Sequence, residues 1–280
     1  MSGDADRSAF DDVLNAALQR LHDQLRSYPR LAVAISGGVD SMTLASVAHD
    51  VLGDRLQLVH AMSPAVPEEA SDRVRDHAER FGWAVISVDA GEFSDERYRQ
   101  NPVDRCYYCK TNLYARLSDV WDGPIASGAN MDDLGDYRPG LLAASEKQVV
   151  HPLIDAGIDK SMVRVIARQQ GLEQVAELPA QPCLSSRVET GIVINADDLL
   201  FVHRTERYLA DVLGPGDLRC RITAEGVRIE VPEHLQQKQT QQWSDFTQEL
   251  QRRIESEGRG FAGIGSYRRG SAFLNKPESQ

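Results

Sequence analysis

The chain has 280 residues, 41% of them hydrophobic and 26% charged, with a net charge of −11. That balance excludes a disordered or fibrous chain and describes a globular protein with one good core and room for a second, smaller domain. The acidic surface disfavours broad nucleic-acid binding, and no apolar run reaches the roughly 18 residues that a membrane span needs.

Residues 1–10 are polar and acidic and lack the basic and apolar regions of a signal peptide, so a cytoplasmic protein is expected. A first helix is predicted over 10–27, where Val13, Leu14, Ala17, Leu18, Leu21 and Leu25 recur at helical spacing. Leu31-Ala-Val-Ala-Ile35 has the length and apolarity of a buried strand; the run breaks at Ser36-Gly-Gly38 and resumes over 42–52 as a helix. A second strand over 56–61 precedes a helix over 67–81. A third strand follows over 84–89, a fourth over 124–128 and a fifth over 149–153. Strands separated by helices predict an α/β fold with a parallel sheet covered on both faces. Ligands then bind at the carboxyl ends of the strands, where Ser36, Ala61, Asp89 and Gly128 fall. Beyond Arg187 the pattern changes to a helix over 196–213, strand-like 218–223 and 227–231, a long polar helix over 233–257 and a glycine-rich end. This predicts a small α+β domain with a hairpin-like pair, dividing the chain at 1–187 and 188–280.

The chemistry begins at Ser36-Gly-Gly-Val-Asp-Ser41. A glycine pair between strand and helix lets the backbone turn sharply and turns its N–H groups toward an anion. The helix that follows adds partly positive amides. Asp40 would repel a phosphate unless Mg²⁺ lay between them. No lysine follows the glycines as the common P-loop requires. The string instead resembles the PP-loop of ATP pyrophosphatases, which cleave ATP between its α and β phosphates. By that resemblance Ser36, Gly37, Gly38, Asp40 and Ser41 hold pyrophosphate and Mg²⁺, beside Ala61 and Gly128.

Of the four cysteines, Cys220 alternates with Arg219 and Arg221 on a predicted strand and reads as core packing. Cys106 and Cys109 form a CxxC that fits a zinc half-site, a redox pair, part of an iron–sulfur site or a purely structural element. No second CxxC or HxxxH completes a zinc site. Together with Cys183 the pair could ligate three irons of a four-iron cluster. Cys183, in Pro182-Cys-Leu-Ser-Ser-Arg187, could also act alone, as a thiolate that attacks an adenylated carboxylate and expels AMP.

Further strings widen the resemblance over most of the chain: Ser63-Pro-Ala-Val-Pro67, Asn101-Pro-Val-Asp-Arg-Cys-Tyr-Tyr-Cys-Lys110, Gly128-Ala-Asn-Met-Asp-Asp-Leu-Gly-Asp-Tyr-Arg-Pro-Gly140, Pro182-Cys-Leu-Ser-Ser-Arg187, Arg228-Ile-Glu-Val231 and Tyr267-Arg268. The chain is similar to the ATP-dependent sacrificial sulfur transferases, the LarE family of nickel-pincer cofactor biosynthesis. The resemblance implies adenylation of pyridinium-3,5-biscarboxylic acid mononucleotide and replacement of AMP by sulfur. The sulfur comes from Cys183, which becomes dehydroalanine, or from a 4Fe-4S cluster on Cys106, Cys109 and Cys183. With all three cysteines in place, the cluster-bearing type is favoured. The loop with Asp132, Asp133 and Asp136, near Arg138, then lines the nucleotide site, with Asp133 and Asp136 joining Asp40 on Mg²⁺. Arg187, Arg228, Glu230 and Arg268 are the candidates for the mononucleotide's phosphate and carboxylates. A homo-oligomer is also expected, the family often forming rings.

Two departures stand out. Gly263-Ile-Gly-Ser-Tyr-Arg-Arg-Gly270 replaces a Leu-Glu-Gly-Tyr-Arg-Ser-Gly pattern, and His151 stands where a small residue is common. Three rival readings stay open. A tRNA-thiolating PP-loop enzyme would need a basic surface. An ammonia-dependent amide-forming ligase would not need Cys183. A non-catalytic nucleotide-sensing module would have no use for Asp40 with three thiols.

Overall fold

The computed structural model describes residues 2–135, 139–179, 182–236 and 241–268, with side chains from Ala9 onward. In chain order the elements are α1 (Ser2–Ser27), β1 (Leu31–Ile35), α2 (Val39–Leu52), β2 (Leu56–Met62), α3 (Glu68–Phe81), β3 (Val85–Asp89), α4 (Glu96–Arg99), α5 (Arg105–Val120), β4 (Ile125–Ala126), α6 (Pro139–Glu146), α7 (Pro152–Asp155), α8 (Lys160–Gln169), α9 (Glu173–Ala176), α10 (Ala196–Leu213), β5 (Arg219–Thr223), β6 (Gly226–Val231), α11 (Glu233–Gln236), α12 (Gln241–Ser256) and β7 (Phe261–Ser266). They form two compact units. One comprises 1–92 and 106–181, the other 93–105 and 182–280.

The first unit is an α/β layer around a parallel sheet of order β3-β2-β1-β4. The central strand β1 reads Leu-Ala-Val-Ala-Ile with almost every residue buried, as a strand covered on both faces must be. α1 lays Leu14, Ala17, Leu21 and Leu25 into the core at intervals of three and four. α8 adds Met162, Val163, Ile166 and Ala167 to it, starting from an Asp159 cap that accepts the Met162 N–H at 2.9 Å. The fifth strand expected over 149–153 reduces to one parallel bridge, Ala126 to Val150, because Pro152 starts α7 two residues later.

The second unit carries a sheet of order β5-β6-β7, with β5 and β6 antiparallel and β6 and β7 parallel. The hairpin-like pair is the one the alternation predicts. The third strand, β7, lies in the stretch expected only to be glycine-rich. Of the long polar helix expected over 233–257, the described residues carry α11 (Glu233–Gln236) and α12 (Gln241–Ser256), and 237–240 lie outside the described residues. Among the described residues no helix is long and apolar enough to cross a membrane.

Candidate functional site

At the carboxyl edge of the parallel sheet, Ile35 pairs with His60, so Ser36 and Ala61 are the next residues out along neighbouring strands. The turn from β1 into α2 is tight. Gly37 has φ +76°, and a Cβ on it would lie 2.4 Å from the Ala70 carbonyl oxygen, so only glycine fits. Arg73 of α3 donates to the Gly37 carbonyl at 2.7 Å. Ser41 ties the loop internally: its Oγ accepts the Ser36 N–H at 3.0 Å, lies 3.1 Å from Ser36 Oγ and donates to the Gly38 carbonyl at 3.2 Å. Gly38 is the extended N-cap residue of α2 and, without a side chain, offers the helix no side-chain cap. A small anion is the natural acceptor for such helix-terminal amides.

The loop after β4 presses onto this cradle. A Cβ on Gly128 would lie 2.7 Å from the Ser41 nitrogen, which excludes any side chain there. Asn130, buried at 3% exposure, donates from Nδ2 to Asp40 Oδ1 at 3.0 Å, while its Oδ1 accepts the Asp132 N–H at 3.0 Å. Its own N–H donates to Asp133 Oδ2 at 3.0 Å. Asp40 Oδ2 takes a salt bridge from Lys160 Nζ at 2.5 Å. The structure thus joins Ser36, Gly37, Gly38, Asp40, Ser41 and Gly128 in one place and uses Asp133 to shape its own turn. Asp136 and Arg138 lie outside the described residues. Asn130 and Lys160 are functional candidates that sequence reasoning missed. Asn130 lay unassigned inside a quoted string, and Lys160 is 120 positions from its partner.

His151 sits behind the same loop, with Nδ1 2.8 Å from Ser127 Oγ. Burial pulls its pKa below the usual imidazole value, against the opposing charges of Asp155 and Asp133, so the ring is neutral near pH 7. Cys106 and Cys109 lie half-buried near the start of α5, three residues apart and so on one helix face.

In the second unit Cys183 is exposed and precedes a short 3₁₀ turn, Leu184–Arg187, whose residues are all buried. The turn is held from several sides. The Ser186 N–H donates to the Cys183 carbonyl at 3.0 Å. Arg187 donates to the Pro182 carbonyl at 2.9 Å and forks onto both carboxylate oxygens of Glu206 at 2.9 and 3.0 Å. Arg221 of β5 donates to the Ser186 carbonyl at 3.1 Å and pairs with Glu230 at 2.7 Å. Tyr98 and Ser185 share a hydroxyl contact of 2.6 Å. Burial acts to lower the Arg187 pKa, but the hydrogen bonds and charge of Glu206, with smaller contributions from Cys183 and Tyr267, outweigh it and raise it. Arg187 is therefore a permanent cation already matched by a carboxylate. Arg228 is largely exposed and pairs with Glu225 at 3.2 Å, and Arg268 is exposed just beyond β7. Arg219, which the sequence reading did not assign, stacks over Tyr267 at 5.0 Å. Cys220 is fully buried; burial, and then the Glu206 charge, push its thiol far above the ordinary range, so it is inert packing.

Whether the chain suits the groups its chemistry implies can be read from these contacts. The glycine turn and the amides at the start of α2 fit a polyphosphate. For Mg²⁺ the chain offers Asp40, with phosphate oxygens left to supply most of the octahedron. For a cluster it offers two thiols on one helix face. Among the described residues no three His, Cys, Asp or Glu side chains are gathered as a metal site.

A parallel α/β unit with this glycine-turn cradle at its carboxyl edge has the architecture of the PP-loop class of enzymes. No family model matches the chain. It is 34% identical over 214 residues to pyridinium-3,5-bisthiocarboxylic acid mononucleotide synthase of Lactiplantibacillus plantarum, covering 75% of this chain and 77% of that protein. It is 39% identical over 231 residues to an uncharacterized protein of Synechocystis, covering 80% and 85%. At 26% identity over 180 residues it also resembles tRNA-cytidine(32) 2-sulfurtransferase of Syntrophotalea carbinolica, covering 55% and 66%. The chain belongs to the LarE family of ATP-dependent sulfur transferases.

Proposed function

We propose that this protein uses ATP to adenylate a carboxylate of pyridinium-3,5-biscarboxylic acid mononucleotide and replaces AMP with sulfur at Cys183, acting in the cytoplasm as a homo-oligomer. The observation that carries the reading is the pairing, in one chain, of a phosphate cradle with an exposed thiol anchored on a buried turn. The likeness to the pyridinium-3,5-bisthiocarboxylic acid mononucleotide synthase of Lactiplantibacillus plantarum supports the substrate.

The amides of Gly37 and Gly38 would cradle the departing pyrophosphate, with the Ser36 and Ser41 hydroxyls beside them, and Lys160, already at Asp40, would neutralise it. Asp40 would hold Mg²⁺ brought in with ATP, and the ion would supply neutralisation of the phosphate charge. A substrate carboxylate oxygen attacks the α-phosphorus, the bond to the bridging oxygen of the β-phosphate breaks, and pyrophosphate leaves. The Cys183 thiolate then attacks the acyl carbon, and AMP departs with the electron pair of the broken acyl–oxygen bond. Removal of the Cys183 α-proton breaks its Cβ–S bond and leaves that electron pair on sulfur. The products are a thiocarboxylate and dehydroalanine, with no outside oxidant or reductant. A second reading is favoured by the shared helix face of Cys106 and Cys109: with Cys183 they would be the cysteines to hold a four-iron cluster, and such a cluster would supply exchangeable sulfide.

Cys183→Ala tests the proposal. Substrate-dependent pyrophosphate release should persist while thiocarboxylate formation disappears. Full thiocarboxylate yield from this variant would overturn it. Iron and acid-labile sulfide in anaerobically purified wild type, lost in Cys106→Ala, would select the cluster reading; their absence after reconstitution would remove it.

A further inference from the structure

We infer that Tyr98 is a positioning residue for Cys183, acting through Ser185; the inference rests on the functional reading above. Tyr98 is 2% exposed and Ser185 is wholly buried, and their hydroxyl oxygens are 2.6 Å apart. One of the two hydroxyls donates its hydrogen to the other's oxygen, a bond made in a buried place where no solvent competes for it. Ser185 is the second residue after Cys183, inside the 3₁₀ turn, and its carbonyl accepts the Val188 N–H at 3.2 Å. Fixing Ser185 therefore fixes the backbone on which the thiol stands.

Tyr98 is itself fixed. Phe93 meets its ring edge-on at 5.5 Å. The strap that carries it, 93–105, is hydrogen-bonded along the segment that follows the turn. Asn101 Nδ2 donates to the Val188 and Glu189 carbonyls at 3.2 and 2.9 Å, the Asn101 carbonyl accepts the Gly191 N–H at 2.9 Å, and the Arg99 carbonyl accepts the Ile194 N–H at 2.8 Å. Arg187 and Arg221 hold the turn by charge. Tyr98 adds a neutral, directional bond, which resists rotation of the turn when a charged substrate arrives. Nucleophilic attack needs the sulfur within a narrow cone about the acyl carbon, so a loosened turn slows sulfur transfer and leaves adenylation, carried by other residues, untouched.

Tyr98→Phe removes only the hydroxyl. In single turnover with ATP and pyridinium-3,5-biscarboxylic acid mononucleotide, we expect thiocarboxylate formation to slow by about tenfold, the scale of one hydrogen bond. Pyrophosphate release should keep its wild-type rate. Ser185→Ala should match Tyr98→Phe, and the double variant should be no slower than either. Amide hydrogen exchange at Ser186 and Val188 should quicken in each variant and stay unchanged in β1 and β2. An equal fall in both half-reactions, an additive double variant, or wild-type transfer with wild-type exchange would overturn the role of Tyr98 and leave the functional reading standing. Wild-type protein that releases pyrophosphate without forming thiocarboxylate would overturn that reading, and this role with it.

Discussion

Asp40 and Lys160 carry the sharpest residue-scale consequence. Each is about three-quarters buried by its side chain, and their 2.5 Å contact is a charge-assisted hydrogen bond at the rim of a phosphate cradle. Asp40 also accepts from Asn130, which shapes the loop after β4, so one carboxylate ties that loop and the start of α8 to the glycine turn of the proposed nucleotide site. Lys160→Met keeps the aliphatic stem and deletes the charge. We expect ATP affinity, by equilibrium titration, to fall roughly ten- to a hundredfold, the range of a hydrogen bond to a charged group. An unchanged affinity would remove Lys160 from the site. The glycines and Asp40 were legible in the sequence because a sharp strand-to-helix turn leaves a local trace. Lys160 left none, since what brings it to Asp40 is the packing of α8 against α2.

At the scale of elements, legibility follows how much of an element's stability is local. β1 is five apolar residues ended by a glycine pair, and α1 keeps a clean apolar stripe; both announce themselves. β7 reads Phe-Ala-Gly-Ile-Gly-Ser, with two glycines that weaken any strand, and it exists through its pairing with β6. The strap 93–105 is the instructive case. Its string Asn101-Pro-Val-Asp-Arg was visible as a motif, but its attachment to the second unit was not. That attachment runs through Asn101, a buried residue at φ +53° whose side chain serves two carbonyls and accepts from Arg105 at 3.1 Å. Asn tolerates the left-handed region better than other non-glycine residues. Asn101→Ala should therefore cost roughly 3 kcal/mol, from carbonyls left unmatched and an unfavourable backbone, read as a lower urea midpoint by far-UV circular dichroism. A loss below about 1 kcal/mol would mean that the strap is held by something else.

On the scale of the whole molecule, the two units divide the chemistry. The first holds the proposed phosphate cradle and the CxxC pair, the second the exposed Cys183 and a set of arginines largely matched by carboxylates. That matching bears on the proposed mononucleotide site: Arg187 and Glu230 are already internal partners of Glu206 and Arg221, and Arg228 and Arg268 are the more exposed members. The nature of the reaction was legible because it needs two separate short strings, a phosphate turn and a cysteine beside Ser-Ser-Arg, each written locally. Which arginines stay unmatched depends on pairings across β5, β6 and α10, and no local string records those.

The most direct measurement is the product ratio in a single turnover of ATP, pyridinium-3,5-biscarboxylic acid mononucleotide and anaerobically purified protein, with pyrophosphate, AMP and thiocarboxylate quantified together. Adenylating sulfur transfer requires the three to appear in equal amounts, with none formed when the mononucleotide is omitted. Pyrophosphate and AMP without thiocarboxylate, or with an amide or a thiolated tRNA in its place, would contradict it.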